Sequence, residues 1–149
     1  MGMFLKDTLR GANRMDQFHA VPVGYVRSDV TDRVRAPRQG RDASVNAMIE
    51  ILPEYSDAMD GIGQWSQLLV TCWLHLADRD TLAVHPRGDA SAPLTGVFGT
   101  RSPARPNPVA VYTVDLISVK GNSLNVRGID AVDGTPVLDI KPHVHRLDD

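Results

Sequence analysis

The sequence holds one cysteine, Cys72, so an internal disulfide and a cysteine-built zinc centre are both excluded. Cys72 stands inside the apolar stretch Leu68-Leu69-Val70-Thr71-Cys72-Trp73-Leu74, which reads as a buried structural thiol. A chain without disulfides suits a reducing compartment, and a cytoplasmic location is expected. Long apolar runs are also missing. No segment approaches the ~18 apolar residues of a spanning helix, and the polar, mixed-charge start has no signal-peptide core. Several nucleotide and hydrolase motifs are absent as well: no G-x-G-x-x-G after a strand, no phosphate-binding P-loop, no H-E-x-x-H and no nucleophile elbow. Gly61-Ile62-Gly63 lacks the third glycine of a dinucleotide fingerprint.

What remains is an ordinary globular composition. Of 149 residues, 42% are hydrophobic and 23% charged, enough for one domain with its own core. Residues 1–17 read as a poorly ordered extension and residues 18–149 as the domain. The net charge of −2 does not mark a nucleic-acid binder, but its distribution is uneven. Arg27, Arg33, Arg35, Arg38 and Arg41 cluster early, Arg101 and Arg105 share a later loop, and acids gather towards the end. The arginines offer either a local basic face or an ordinary solvated surface.

Strand signals dominate. Val21 to Arg27 is a first candidate; Ser44 to Leu52 alternates, with Val45, Ala47, Ile49 and Ile51 on one face. Leu68 to Leu76 is nearly continuous in apolar residues, as for a strand buried on both faces, with Trp73 as core. Val109 to Lys120 alternates, and Gly121-Asn122 joins it to Ser123–Gly128 as a two-residue hairpin. Helical signal is confined to Pro53–Gly61, with proline in the first turn and glycine at the stop. The fold class expected is all-β, a barrel or a compact sheet assembly with one or two short helices. Function on such a scaffold concentrates in the turn-rich loops Arg35–Arg41, Thr95–Pro108 and Asp130–Pro142. His143-Val144-His145 sets two imidazoles on one side of an extended segment, but no third ligand is evident and no metal is expected.

Five blocks occur in a fixed order. They are Pro22-Val23-Gly24-Tyr25-Val26-Arg27-Ser28, then Ala36-Pro37-Arg38-Gln39-Gly40, then the Trp65–His75 strand. The fourth is Gly96-Val97-Phe98-Gly99-Thr100-Arg101-Ser102-Pro103-Ala104-Arg105-Pro106-Asn107-Pro108, and the fifth runs from Asp130-Ala131-Val132-Asp133-Gly134-Thr135 to Asp139-Ile140-Lys141-Pro142. Together they resemble the TsaA-like (TrmO) family from about Pro22 to Pro142. The resemblance implies a small β-barrel that binds S-adenosylmethionine, works as a homodimer and methylates N6 of threonylcarbamoyladenosine beside the anticodon of certain tRNAs. Longer bacterial members carry a further C-terminal domain, which this chain is expected to lack. No membrane partner is implied.

The resemblance also implies a site. Pro37, Arg38, Gln39, His75, Leu76, Arg101, Val111, Asp133, Gly134, Thr135 and Pro136 are its cofactor-binding candidates. Arg38 and Gln39 offer donors on a proline-stiffened loop, and Arg101 is a rigid fork suited to a carboxylate or phosphate. Asp133-Gly134-Thr135-Pro136 is a turn in its own right, since glycine supplies positive φ. Arg105, Asn107 and Tyr112 are substrate-binding candidates; the alternative for Arg105 is a tie to backbone carbonyls. Asp139, Lys141 and His143 are catalytic candidates, with Asp139 and Lys141 sharing a strand face either as a buried or interfacial ion pair or as lining of the reaction site. Asp139, Asp133 and His143 are the candidate bases.

Two departures from the family pattern stand near this site. Where the family continues Ile-Gly-Leu-Ser, the chain has Val109-Ala110-Val111-Tyr112, and Lys-Pro-Tyr becomes Lys141-Pro142-His143. They leave three functions open: tRNA methylation, methylation of a small molecule on the same cofactor domain, and a non-catalytic cofactor-binding module.

Overall fold

The computed structural model describes residues 17–31 and 45–149. Pro37, Arg38 and Gln39, and all but the last residue of the expected extension, lie outside the described residues. The fold is the expected all-β barrel. Six strands close on themselves, in the order β1 (Gly24–Arg27), β2 (Asn46–Ile51), β7 (Ser123–Arg127), β6 (Val109–Lys120), β3 (Gln67–Trp73) and β8 (Pro136–Pro142), every neighbour antiparallel. A two-stranded ribbon, β4 (Ala83–Val84) with β5 (Thr95–Gly96), sits in the long β3–β6 connection. A one-turn helix, α1 (His145–Asp148), follows β8.

Closure of so small a barrel requires sharply bent strands, and two register irregularities supply the bends. β6 shifts register against β7 between Leu116 and Ser118, and β3 shifts against β8 between Thr71 and Cys72. The alternating β-branched residues of β6 let its twelve residues pair with β3 on one edge and β7 on the other. Inward residues form one core: Val26, Ile49, Leu68, Val70, Cys72, Val114, Leu124, Val126, Ile129 and Val137 are all essentially inaccessible. Each such aliphatic side chain contributes about 1.5–3 kcal/mol by leaving water.

Several boundaries differ from the sequence expectation. β1 starts at Gly24, and Val21 is exposed, because the chain meets its β8 neighbour only from Val23 onward. β3 is not buried on both faces. It alternates, with Leu68, Val70 and Cys72 inward and Leu69, Thr71 and Trp73 partly exposed on the outer wall. An antiparallel barrel wall faces solvent on one side, so a continuous apolar run does not demand two-sided burial. Trp73 is therefore not core; the Arg79 guanidinium stacks 5.1 Å from its ring. β3 ends at Trp73, and a turn from Leu74 to Ala77 carries His75 and Leu76. Pro53–Met59 is 3-10 rather than α-helical, and Gly61 at φ 78° breaks it from the next turn.

The antiparallel order decides where the loops go. β1, β3 and β7 end, and β2, β6 and β8 begin, at the same rim of the barrel. The β1–β2, β3–β6 and β7–β8 connections all leave from it. The opposite end carries the 3-10 turns between β2 and β3, the tight β6–β7 turn and the segment after β8. In that tight turn Gly121 has φ 56°, and the Asn122 amide donates to Ile51 O (3.3 Å) and Ser56 Oγ (2.6 Å).

Candidate functional site

The loop-bearing rim gathers most of the candidate residues, and its geometry follows from how β1 and β8 are tied. The Val26 amide donates to Thr135 O (2.9 Å), and the Gly134 amide donates back to Val26 O (2.8 Å). Asp133 Oδ1 accepts the Ser28 amide (3.1 Å), and the Asp133 amide donates to Val30 O (2.7 Å). Gly134 adopts φ 82°, the left-handed conformation a glycine takes without strain, with open space where a Cβ would stand. Asp133 is thus an exposed carboxylate on a fixed turn beside the end of β1. Thr135 is different. It is buried, and its hydroxyl donates to Val132 O (2.6 Å), so its side chain holds the turn.

The second rim loop is braced from within. Arg105 donates to Ser102 O (2.7 Å), Val97 O (3.0 Å) and Thr100 O (2.6 Å). The tie to backbone carbonyls is therefore the role the structure gives Arg105. Asn107 Oδ1 accepts from Arg79 (3.3 Å), whose Nε also donates to Pro106 O (2.8 Å). Arg101 stands exposed at this loop and donates to Val111 O (3.2 Å), which places it over the start of β6. Val111 faces outward and is half-exposed, and His75 and Leu76 are exposed on the turn after β3.

Between these loops lies a pair the sequence reading did not single out. Tyr112 points into the barrel, packs against its core and donates its hydroxyl to the carboxylate of Asp130. Burial, then the nearby Asp130 charge, pushes the Tyr112 hydroxyl well above the ordinary phenol range; Arg101 acts in the opposite sense. Burial also holds the Asp130 carboxyl above the usual carboxylate range, opposed by the Tyr112 hydrogen bond. The signal for Asp130 was present in the sequence: an acid between two apolar residues, Ile129 and Ala131, both buried in the structure.

Three candidates are not brought to this rim. Asp139 pairs with Thr71 and Lys141 with Leu69, three and five residues along β8 from the rim, about 10 and 17 Å away at strand spacing. They form an exposed ion pair with each other, not a buried one. His143 lies at the opposite end, where its amide donates to Gln67 O (3.0 Å). A concavity lined by Tyr25, Arg27, Glu50, Ile51 and Asn122 is on the barrel wall, and there Arg27 and Glu50 satisfy each other at 2.8 Å.

A closed six-stranded barrel with its long connections at one rim, carrying the five ordered blocks, defines the protein as a TsaA-like barrel. The chain belongs to the family described as the tRNA-methyltransferase O N-terminal domain, whose model matches residues 25–149. It is 51% identical over 127 residues to a probable S-adenosyl-L-methionine-binding protein of Methanothermobacter thermautotrophicus, covering 85% of this chain and 90% of the relative. An S-adenosyl-L-methionine-binding protein of Archaeoglobus fulgidus is 41% identical over 127 residues, with the same two coverages. The crystal structure of TrmO from Pseudomonas aeruginosa superposes with a TM-score of 0.73 at 34% identity, over 90% of this chain and 59% of that one. This chain thus spans less than two thirds of that TrmO chain. No helix among the described residues is long and apolar enough to cross a membrane.

Proposed function

We propose that this protein is an S-adenosylmethionine-dependent methyltransferase whose acceptor is N6 of threonylcarbamoyladenosine next to a tRNA anticodon. The observation that carries the reading is the coincidence of family blocks and rim: His75, Leu76 and Arg101 from the β3–β6 connection and Asp133 and Gly134 from the β7–β8 connection leave one end of the barrel.

The described residues suit the cofactor's chemistry. Arg101 has a guanidinium edge for a carboxylate, Asp133 a carboxylate for ribose hydroxyls, and Leu76 and Val111 apolar surface for the uncharged parts. Gly134 leaves room for close backbone approach. When bound, S-adenosylmethionine supplies an electrophilic methyl on a sulfonium, so this chemistry requires no metal. The protein must orient the acceptor in line and exclude water, a positioning effect that reaches ~7–11 kcal/mol. A carbamoylated N6 is a weak nucleophile, and a base that removes its proton adds about 10²–10⁴-fold. Asp130 is the first candidate base at the rim, since burial favours its protonated form and Tyr112 orients it. Asp133 is the second candidate. Asp139, Lys141 and His143 stand outside this rim.

A homodimer belongs to the same proposal. The exposed apolar residues Val109, Ile117 and Val119 on β6 offer a surface for a second copy. A second reading, methylation of a small acceptor, is favoured by Tyr112, which fills barrel space where the family has serine.

Labelled cofactor, purified protein and tRNA bearing threonylcarbamoyladenosine decide between them. Incorporation into RNA, falling steeply as salt rises, is the expected result. Cofactor binding without RNA labelling would refute the tRNA reading.

A further inference from the structure

We propose that His143, His145 and Asp149 form a binding site for one divalent transition-metal ion of the zinc type, at the end of the barrel opposite the loop-bearing rim. One ligand atom from each lies within 4.8 Å of the others. The Asp149 carboxylate stands between the two imidazoles, with Oδ2 2.7 Å from His145 Nδ1 and Oδ1 3.7 Å from His143 Nε2. The single turn of α1 creates this arrangement, because His145 and Asp149 are four residues apart and share one side of it. The two rings meet edge-on, with centroids 4.9 Å apart.

His143 is the second, independent observation. Its side chain is only 4% exposed. Its Nδ1 is buried without a hydrogen-bond partner among the described residues, and its Nε2 stops short of hydrogen-bond distance from Asp149. The buried ring therefore turns Nε2 towards Asp149 without completing a hydrogen bond, and an ion held there would occupy that nitrogen. Its position is fixed by the backbone bond from His143 N to Gln67 O at the start of β3.

The donor set selects the ion. Two imidazole nitrogens and one carboxylate oxygen favour zinc, nickel, cobalt or copper over magnesium and calcium, which prefer all-oxygen shells. Bonds of about 2.0–2.2 Å to a tetrahedral ion place ligand atoms about 3.3–3.6 Å apart. The carboxylate-to-imidazole separations are 2.7 and 3.7 Å and the whole set lies within 4.8 Å, so the exposed His145 and Asp149 side chains must draw in around an ion to complete the site. The ion's role is structural: it ties α1 and the end of β8 to the floor of the barrel. It lies at the far end from the Asp130 and Asp133 rim and takes no part in methyl transfer.

The test uses the tag-free full chain with zinc alone, titrated by calorimetry, and with cobalt as a visible-absorption probe. Expected are one zinc per chain, a higher melting temperature with zinc and the absorption bands of a low-coordinate cobalt site. His145→Ala and Asp149→Asn alter exposed residues and leave the fold intact by circular dichroism. Each should weaken binding by at least the roughly 10–100-fold that loss of an outer-sphere partner already costs. His85→Ala, remote from the cluster, should bind as the unaltered protein does. Absence of binding at millimolar zinc, or variants that bind as tightly as the parent, would overturn the proposal.

Discussion

Replacing Gly24 by alanine should damage both the barrel seam and the rim. A Cβ at this position would stand 2.3 Å from Glu50 O, 3.1 Å from Glu50 C and 3.2 Å from the Ile51 Cα. All three are backbone atoms of β2, so no side-chain rotation relieves the clash. Real Cβ contacts do not fall below 3.0 Å, so β1 must retreat from β2 by about 0.7 Å. β1 is only four residues long and closes the barrel against β8 through Gly24 and Tyr25, which leaves little pairing to absorb the shift. Overpacking of this kind costs about 1–3 kcal/mol. For a chain of this size that corresponds to a fall in melting temperature of roughly 2–12 °C. The same strand and the residue after it carry the Val26 and Ser28 bonds to Gly134, Thr135 and Asp133, so cofactor affinity should fall as well. Urea unfolding with an unchanged slope measures the first effect and calorimetric titration the second. A variant within about 0.5 kcal/mol of the parent would show that the close approach does not constrain the seam.

Other consequences follow from the same contacts. Arg101→Ala should weaken S-adenosylmethionine binding by about tenfold, the lower end for a charge-assisted bond at an exposed position, without altering the melting temperature; unchanged affinity would remove Arg101 from the site. Asp130→Asn should gain stability relative to the parent as pH rises above the ordinary carboxylate range. The folded state holds the Asp130 proton more tightly than the unfolded chain does, so the parent loses stability through that window. Equal pH profiles for the two proteins would contradict the burial of this carboxyl. The Cys72 thiol, pushed up to about 12 by burial, should resist alkylation in the folded protein and react only on unfolding; rapid native-state labelling at neutral pH would refute its place in the core.

The barrel was legible wherever the side-chain period carried the information. Ala47, Ile49 and Ile51 announce the buried face of β2, β6 begins and ends where its alternation does, and Gly121-Asn122 marks its own turn. β3 misled because period and burial separate there: Leu69 and Trp73 are apolar on the outer wall, where Arg79 covers Trp73. For the site, spacing placed Asp133-Gly134 on a tight turn and set Arg101 in a turn-rich loop. It left Arg105 open between substrate and backbone carbonyls, and it did not reveal that the Thr135 hydroxyl is occupied by Val132 O, because such bonds depend on the folded path of the loop. Nor did it pair Tyr112 with Asp130, eighteen residues away across the rim. The third member of the His143–His145 cluster escaped notice for a simpler reason: Asp149 joins only once α1 forms a turn.

Amide hydrogen exchange of the full chain, with and without S-adenosylmethionine, tests the rim most directly. Ligand should slow exchange in residues 74–77, 95–107 and 128–135, and leave residues 53–64 and 121–122 at the opposite end unchanged. Protection at that opposite end, or saturating binding with no protection in the three loops, would contradict the account.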